Sequence, residues 1–293
     1  MMFLQIGGKA AAQSDTSGPP SRPLFSSDSI LAISIDGPLT TIMRKRDESE
    51  QFPATLQYTD SDGTGYTLDI QLRARGKYRR KRDVCNFVPL RVNFKKKQVQ
   101  GTAFAGQDKI KLVTDCQSSS KRYQQLLLKE YLTYRLFNLM TDRSFRARLL
   151  RVTYVDSDRK GKTRESYAFF IEEKEHIADR LGIKLLDLPG TKYSALDAAH
   201  ANLVNVYEYF IGNTDYSLVA GPKDASCCHN AVLYQKGGAP IITIPYDFDH
   251  AGMVDAPHAS PNPKFRIRDV KQRLYRGRCA NNGHLDSTLQ LFL

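Results

Sequence analysis

The sequence predicts an α+β chain in two lobes, the first rich in β-structure and the second mixed and more helical. Three observations carry this. From about Leu24 to residue 115, apolar and polar positions alternate in short runs broken by turn residues, the period of half-buried strands. Two later stretches, KRYQQLLLKEYLTYRLFNLM and SALDAAHANLVNVYEYFIGN, have helical period instead. Around them the strand pattern returns in pairs, giving the order β-rich, helix, hairpin, helix, hairpin, helix.

Element by element, residues 1–23 are rich in Gly, Ser, Ala and Pro and read as a flexible tail; AAAQ within it resembles the remnant of an export signal, although no full apolar leader precedes it. ILAISIDGP alternates as a strand. ATLQYTD and YTLDIQLRARG form a hairpin about SDGTG, and CNFVPLRVNF and QDKIKLVTD are two further strands. The first helix carries Tyr123, Leu127, Tyr134 and Phe137 on one face. FRARLLRVTYVDS and ESYAFFIEE pair through the charged turn DSDRKGKTR. The second helix has Leu203, Tyr207 and Phe210 in register and stops at Gly212-Asn213. AVLYQ and PIITIPYDFD form a hairpin about KGG, and KFRIRDVKQRLYRGRC reads as a basic helix. The first lobe spans about 24–173 and the second 174–293.

With 293 residues the chain can bury a substantial core, and no apolar run reaches the roughly 18 residues that a membrane-spanning helix needs. The net charge of +12 favours anionic partners, nucleotide phosphates or acidic proteins among them; no nucleic-acid-binding motif accompanies it. Five cysteines without a CxxC pair argue against structural zinc. In an oxidising compartment Cys85 and Cys116, at the ends of strands in one region, are expected to pair, and Cys279 to pair with Cys227 or Cys228.

Polar residues converge at the last hairpin. With its turn at Gly237-Gly238, Asn230 enters one strand beside the place where Asp247 leaves the other. Asp215, in the IGNTDYS loop, reaches the same end. An amide oxygen and carboxylates in one place suit Mg²⁺, which takes one or two carboxylates and then phosphate oxygens; singly, each residue also suits a turn. Glu130 falls in the apolar stripe of the first helix and needs a partner, for which Lys111 in DKIKLVTD is well placed. RARGKYRRKR carries seven basic residues around Gly76 between two strands, a solvated loop or a cover over phosphates.

FPATLQYTDSDGTGYTLDIQLRARGKYRR, FIGNTDYS, and HNAVLY followed by IPYDFDHAG together resemble the spore coat protein H (CotH) family of atypical kinases, in order from about Leu24 to Gly252. The resemblance implies a bilobal protein-kinase-like fold and an ATP- and Mg²⁺-dependent transfer of phosphate, with Mn²⁺ as an alternative ion, to a protein or an extracellular polymer. It implies Asp215 as the catalytic-loop aspartate, Asn230 and Asp247 as metal ligands, Lys111 and Glu130 as a phosphate-orienting ion pair, and Glu172 and Glu173 of FFIEEK near an adenine. Phosphoryl transfer asks mainly for positioning and charge neutralisation, which such groups supply. The chain departs from the pattern in three places. RGKYRRKR around Gly76 stands where a glycine-rich loop would be. Asp249 replaces the glycine of the kinase Asp-Phe-Gly segment, as a further metal ligand or as a holder of the next turn. The 15 residues from Asp215 to Asn230 make a long catalytic loop. These departures keep two alternatives open: a nucleotide-binding pseudokinase or scaffold, and a metal-dependent hydrolase using His229, Asp247, Asp249 and His250 with zinc or manganese.

Overall fold

Seven strands close into a barrel. In the computed structural model, which describes residues 23–118, 120–223 and 226–293, these are β1 (Leu31–Gly37), β2 (Phe52–Thr59), β3 (Gly65–Ala74), β4 (Leu90–Phe94), β5 (Lys109–Thr114), β6 (Ala147–Asp156) and β7 (Lys162–Ile171). Their order around the barrel is β1-β2-β3-β4-β5-β7-β6. Every neighbouring pair is antiparallel except the closing one, where β1 runs parallel to β6 with Leu31 opposite Leu150 and Gly37 opposite Asp156. The alternation seen in the sequence fills the interior: Ile33, Ile35, Leu56, Leu68, Leu72, Val92, Leu112, Val152 and Phe170 are all buried in one cluster. The expected tail and its export-signal remnant lie outside the described residues, apart from Pro23.

A second apolar cluster lies outside the barrel wall. It joins α2 (Lys121–Met140), α4 (Ala198–Ile211) and a three-stranded sheet of β8 (Lys184–Leu185), β9 (Ala231–Gln235) and β10 (Ile242–Pro245), ordered β10-β9-β8. Strand β7 belongs to both clusters because its two faces are apolar. Ala168 and Phe170 point into the barrel, while Phe169 meets Tyr131 and Tyr134 of α2 at ring separations of 5.9 and 5.7 Å. Phe137 and Tyr207 tie α2 to α4 at 4.7 Å. Helix α4 starts where Asp197 accepts a hydrogen bond from His200 N at 2.9 Å, and it stops at Gly212, whose φ of +69° closes the helix in the left-handed region.

The expected bilobal protein-kinase-like fold is therefore corrected. The β-rich half is a closed barrel, and the described residues hold only five α-helices, the others being α1 (Leu39–Lys45), α3 (Lys174–Leu181) and α5 (Leu285–Leu289); they do not build a helical C-terminal lobe. The basic stretch 264–278, expected as a helix, forms turns and irregular chain. Two of its arginines are spent on carbonyls around the end of α4: Arg273 Nε donates to Phe210 O at 3.1 Å, and Arg276 Nη1 to Thr214 O and Tyr216 O at 3.1 and 2.6 Å. Cys85 and Cys116 are bonded, as expected. Cys227 and Cys228 are bonded to each other instead of to Cys279, which is exposed and unpaired. Among the described residues no helix is long and apolar enough to cross a membrane.

Candidate functional site

A cavity of about 390 Å³ opens between the barrel end and the last hairpin. Asp215, Asn230, Asp247, Asp249, Lys111, Glu130 and Gly76 all line it, although they come from five separate parts of the chain. The hairpin register explains one meeting. Ala231 pairs with Pro245, so Asn230 lies opposite Tyr246, whose N–H donates to Asn230 O at 2.9 Å, and Asp247 follows directly. Both Asn230 and Asp247 have positive φ, +52° and +65°, which turns the chain away from the sheet at this end. Asn and Asp tolerate that region better than most residues.

Asp215 accepts on both carboxylate oxygens: from His229 Nε2 at 2.7 Å on Oδ1 and from Asn230 Nδ2 at 3.0 Å on Oδ2. Asn230 Nδ2 also donates to Asp215 O at 2.7 Å. Burial alone would raise the Asp215 carboxyl, but the His229 bond and charge outweigh it and hold Asp215 below its ordinary range. The same bond raises the His229 imidazole against a smaller opposing effect of burial. His229 Nδ1 has no hydrogen-bond partner among the described residues.

Asp247 is held by its backbone: its N–H donates to the Tyr134 hydroxyl of α2 at 2.8 Å. Its carboxylate has no hydrogen bond or ion pair among the described residues and faces the cavity. Burial, and then the neighbouring Asp249 charge, raise it, with Arg75 and Arg79 acting in the opposite sense. Asp249 behaves differently. Burial would raise it too, but a hydrogen bond from His258 Nε2 at 3.0 Å, with the Arg79 charge, leaves it lowered.

Cationic side chains line the same cavity. Gly76 leaves β3 with φ +90°, and the chain then carries Lys77, Tyr78 and Arg79 along the cavity. The Cys85–Cys116 bond fastens the far end of this loop to the end of β5, where Asn86 N and Phe87 N also donate to Cys116 O. Arg75 lines the cavity and, among the described residues, its guanidinium has no hydrogen bond or ion pair. Lys111 is stacked over Tyr246 and Phe145 at 5.3 and 5.8 Å from the ring centres. Burial lowers its amine to about 8; Glu173 opposes that fall, and Arg75 and Arg91 add to it.

The expected Lys111–Glu130 ion pair is not formed. Glu130 pairs with Arg79 at 3.4 Å, and Arg79 also donates to Thr114 O. Burial raises the Glu130 carboxyl, with Arg79 countering. The arginine-rich loop folds inward over α2 and reaches Glu130, so a contact expected from a neighbouring strand is made by a loop. Glu172 and Glu173 do not line the cavity. Glu172 is clasped by Arg180 at 3.0 and 2.9 Å and accepts from Arg146 N at 3.1 Å; Glu173 lies 3.4 Å from Arg91. The four residues of the hydrolase reading do not form one group: His229 is bonded to Asp215, Asp249 and His250 cluster with His258, and Asp247 belongs to neither. From the sequence, Tyr134 is read only as part of the apolar helix face and Arg75 and Arg79 only as members of the basic run, while His258 is not singled out at all. Tyr134 stands one turn from Glu130 on the same helix face, a spacing that marks it as a neighbour of the site; His258 gives no such signal. No protein-family model and no curated protein sequence matches this chain.

Proposed function

We propose that the chain is a phosphotransferase that uses ATP and Mg²⁺, with Mn²⁺ as an alternative, to phosphorylate hydroxyl groups on a protein or an extracellular polymer. One observation carries this: Asp247 and Asn230 line the same cavity as Arg75 and Lys111, cations that have no ion-paired carboxylate among the described residues. A half-buried carboxylate with no hydrogen bond or ion pair among the described residues fits a divalent ion, and unpaired cations lining the same cavity fit phosphate oxygens. The cavity volume lies within the roughly 300–1,000 Å³ of small-molecule sites. The stretches that resemble the spore coat protein H family supply three of these residues, which supports assigning the chain to that family by its loops.

On this reading Asp247 and Asn230 would hold the ion, which when bound neutralises charge on the phosphates. Arg75 and Lys111 bind and orient the phosphate tail. Asp215 fixes the His229 tautomer, and Nδ1 of His229 takes the proton of the acceptor hydroxyl. The net charge of +12 favours an acidic acceptor. Two disulfides fit an oxidising compartment, and we infer export from them. A nucleotide-binding protein without transfer is the second reading. It is favoured by Asp215 having both oxygens occupied by donors within the chain. Thermal stabilisation by ATP, measured with and without Mg²⁺, tests both: a shift that needs both together is expected, and no nucleotide-dependent shift would remove the two readings at once. Transfer of labelled γ-phosphate to an acidic protein then separates them.

A further inference from the structure

Beside the nucleotide cavity lies a cluster of different chemistry. The ligating atoms of Asp249, His250 and His258 all lie within 4.8 Å of one another. Asp249 and His250 follow β10 and line the cavity; His258 arrives from the next loop and lines a smaller recess behind it with Arg79 and Glu130. Tyr78, from the loop after Gly76, covers both imidazoles at ring separations of 6.1 and 6.0 Å. We propose that these three side chains form a binding site for one divalent transition-metal ion of the zinc type, distinct from a Mg²⁺ held by Asp247 and Asn230.

Donor chemistry carries the choice of ion. Mg²⁺ prefers oxygen donors only, whereas two imidazoles with one carboxylate suit zinc, iron, cobalt and manganese. The spacing agrees. Two ligands about 2.1 Å from one ion, at angles near 90–109°, stand about 3.0–3.4 Å apart. Asp249 Oδ2 and His258 Nε2 are 3.0 Å apart already. His250 is the residue that must move, and it is half-buried at the cavity edge, where its ring can turn. The chain's own hydrogen bonds account for the cluster only in part: His258 Nε2 donates to Asp249 Oδ2, but His258 is largely buried, with its side chain 10% exposed, and its Nδ1 has no partner. Arg79 nearby opposes a cation, but Glu130 pairs with it at 3.4 Å and offsets its charge. Three protein ligands leave coordination positions for water or for a bound anion, as in zinc sites that are not purely structural.

The test uses the full chain without an affinity tag. It is made in a Cys279→Ser background so that the exposed thiol does not compete, kept oxidised and stripped with a chelator. Zinc alone is titrated calorimetrically without nucleotide, and Co²⁺ is added in parallel to read its visible ligand-field bands. The expected result is one zinc per chain, with affinity weakened about tenfold or more in His258→Gln and in His250→Ala. His258→Gln keeps a donor towards Asp249, so folding is retained; circular dichroism confirms it. Undiminished zinc affinity in both variants, or no zinc bound by the parent, would overturn the site. Neither result bears on the phosphotransferase reading, which is judged by ATP and Mg²⁺ binding and by Asp247.

Discussion

His229 Nε2 lies 2.7 Å from Asp215 Oδ1, and each group shifts the other's protonation. The raised His229 contributes stability that is fully present below its unfolded value near 6.5 and is lost as pH rises through its higher folded value. The lowered Asp215 contributes stability present above its unfolded value near 3.9 and lost as pH falls through its lower folded value. The pair is therefore complete between about pH 4 and 6.5. NMR titration of the His229 ring should give a pKa above 6.5 in the parent, falling in Asp215→Asn. An unchanged value would mean that the pair is not formed in solution. In the same variant phosphate transfer should fall by about 10²-fold or more while nucleotide binding persists.

Replacing Asp247 should separate binding from stability. Its carboxylate is raised by burial and by Asp249, so keeping it charged at neutral pH costs the empty chain. Asp247→Asn is expected to raise the melting temperature without ligand and to abolish stabilisation by ATP with Mg²⁺. A variant that still gains the parent's ATP–Mg²⁺ shift would remove Asp247 from the metal site.

The salt bridge of Glu130 can be assigned by coupling energies. Double-mutant cycles should show Arg79 coupled to Glu130 by about 0.5 kcal/mol or more and Lys111 coupled to it by less. Lys111→Met should weaken nucleotide binding with little change in stability, because among the described residues Lys111 has no carboxylate within ion-pair reach. Stronger coupling of Lys111 than of Arg79 to Glu130 would restore the arrangement expected from the sequence.

How far the sequence could be read depended on whether a contact was local. Strand β2, its turn and β3 are written in alternation and in the Gly63 turn, and α4 in its cap and its stop. Asn230 and Asp247 meet through a hairpin whose turn residues are visible, so their partnership could be anticipated to within one residue of register. The barrel could not, since closure rests on β1 lying parallel to β6, and the alternation of a strand says nothing about its partner. Arg79 reached Glu130 by the same kind of long step: a charge run looks alike whether it is solvated or folded inward. His258 had no periodic neighbour to mark it, and the basic segment 264–278 reads as a basic helix in the sequence, although Arg273 and Arg276 within it serve carbonyls of α4 and the loop after it.

Peptide mapping without reduction should find Cys85 linked to Cys116, Cys227 and Cys228 together in one peptide lighter by two hydrogens, and Cys279 open to alkylation. Replacing Cys85 and Cys116 by serine is expected to cost about 3 kcal/mol in chemical denaturation. A Cys279 disulfide to either Cys227 or Cys228 would contradict the structure.

Glu208 on α4 offers a test of the core. It is fully buried, and burial raises its carboxyl to about 8; Asn213 stands close enough to counter this in part but makes no hydrogen bond to it, so burial dominates. A raised acid holds its proton longer in the folded state, so stability should fall as pH rises from about 4.5 to 8, by up to about 1.4 kcal/mol per pH unit from this group. Glu208→Gln should flatten that part of the denaturation profile. An unaltered slope would show that Glu208 is ionised in the folded chain.

The parallel contact of β1 with β6 also sets an order of events during synthesis. Ser34 and Thr153, hydrogen-bonded across that seam, are 119 residues apart. A chain leaving the ribosome must therefore hold its first strand unpaired on one edge until the sixth has emerged, several seconds later at about 5–20 residues per second. Long loop closures of this kind slow folding and leave strand edges exposed meanwhile. Nascent chains cut short before β6 should gather edge to edge, while chains extending through β7 have no barrel edge left to offer.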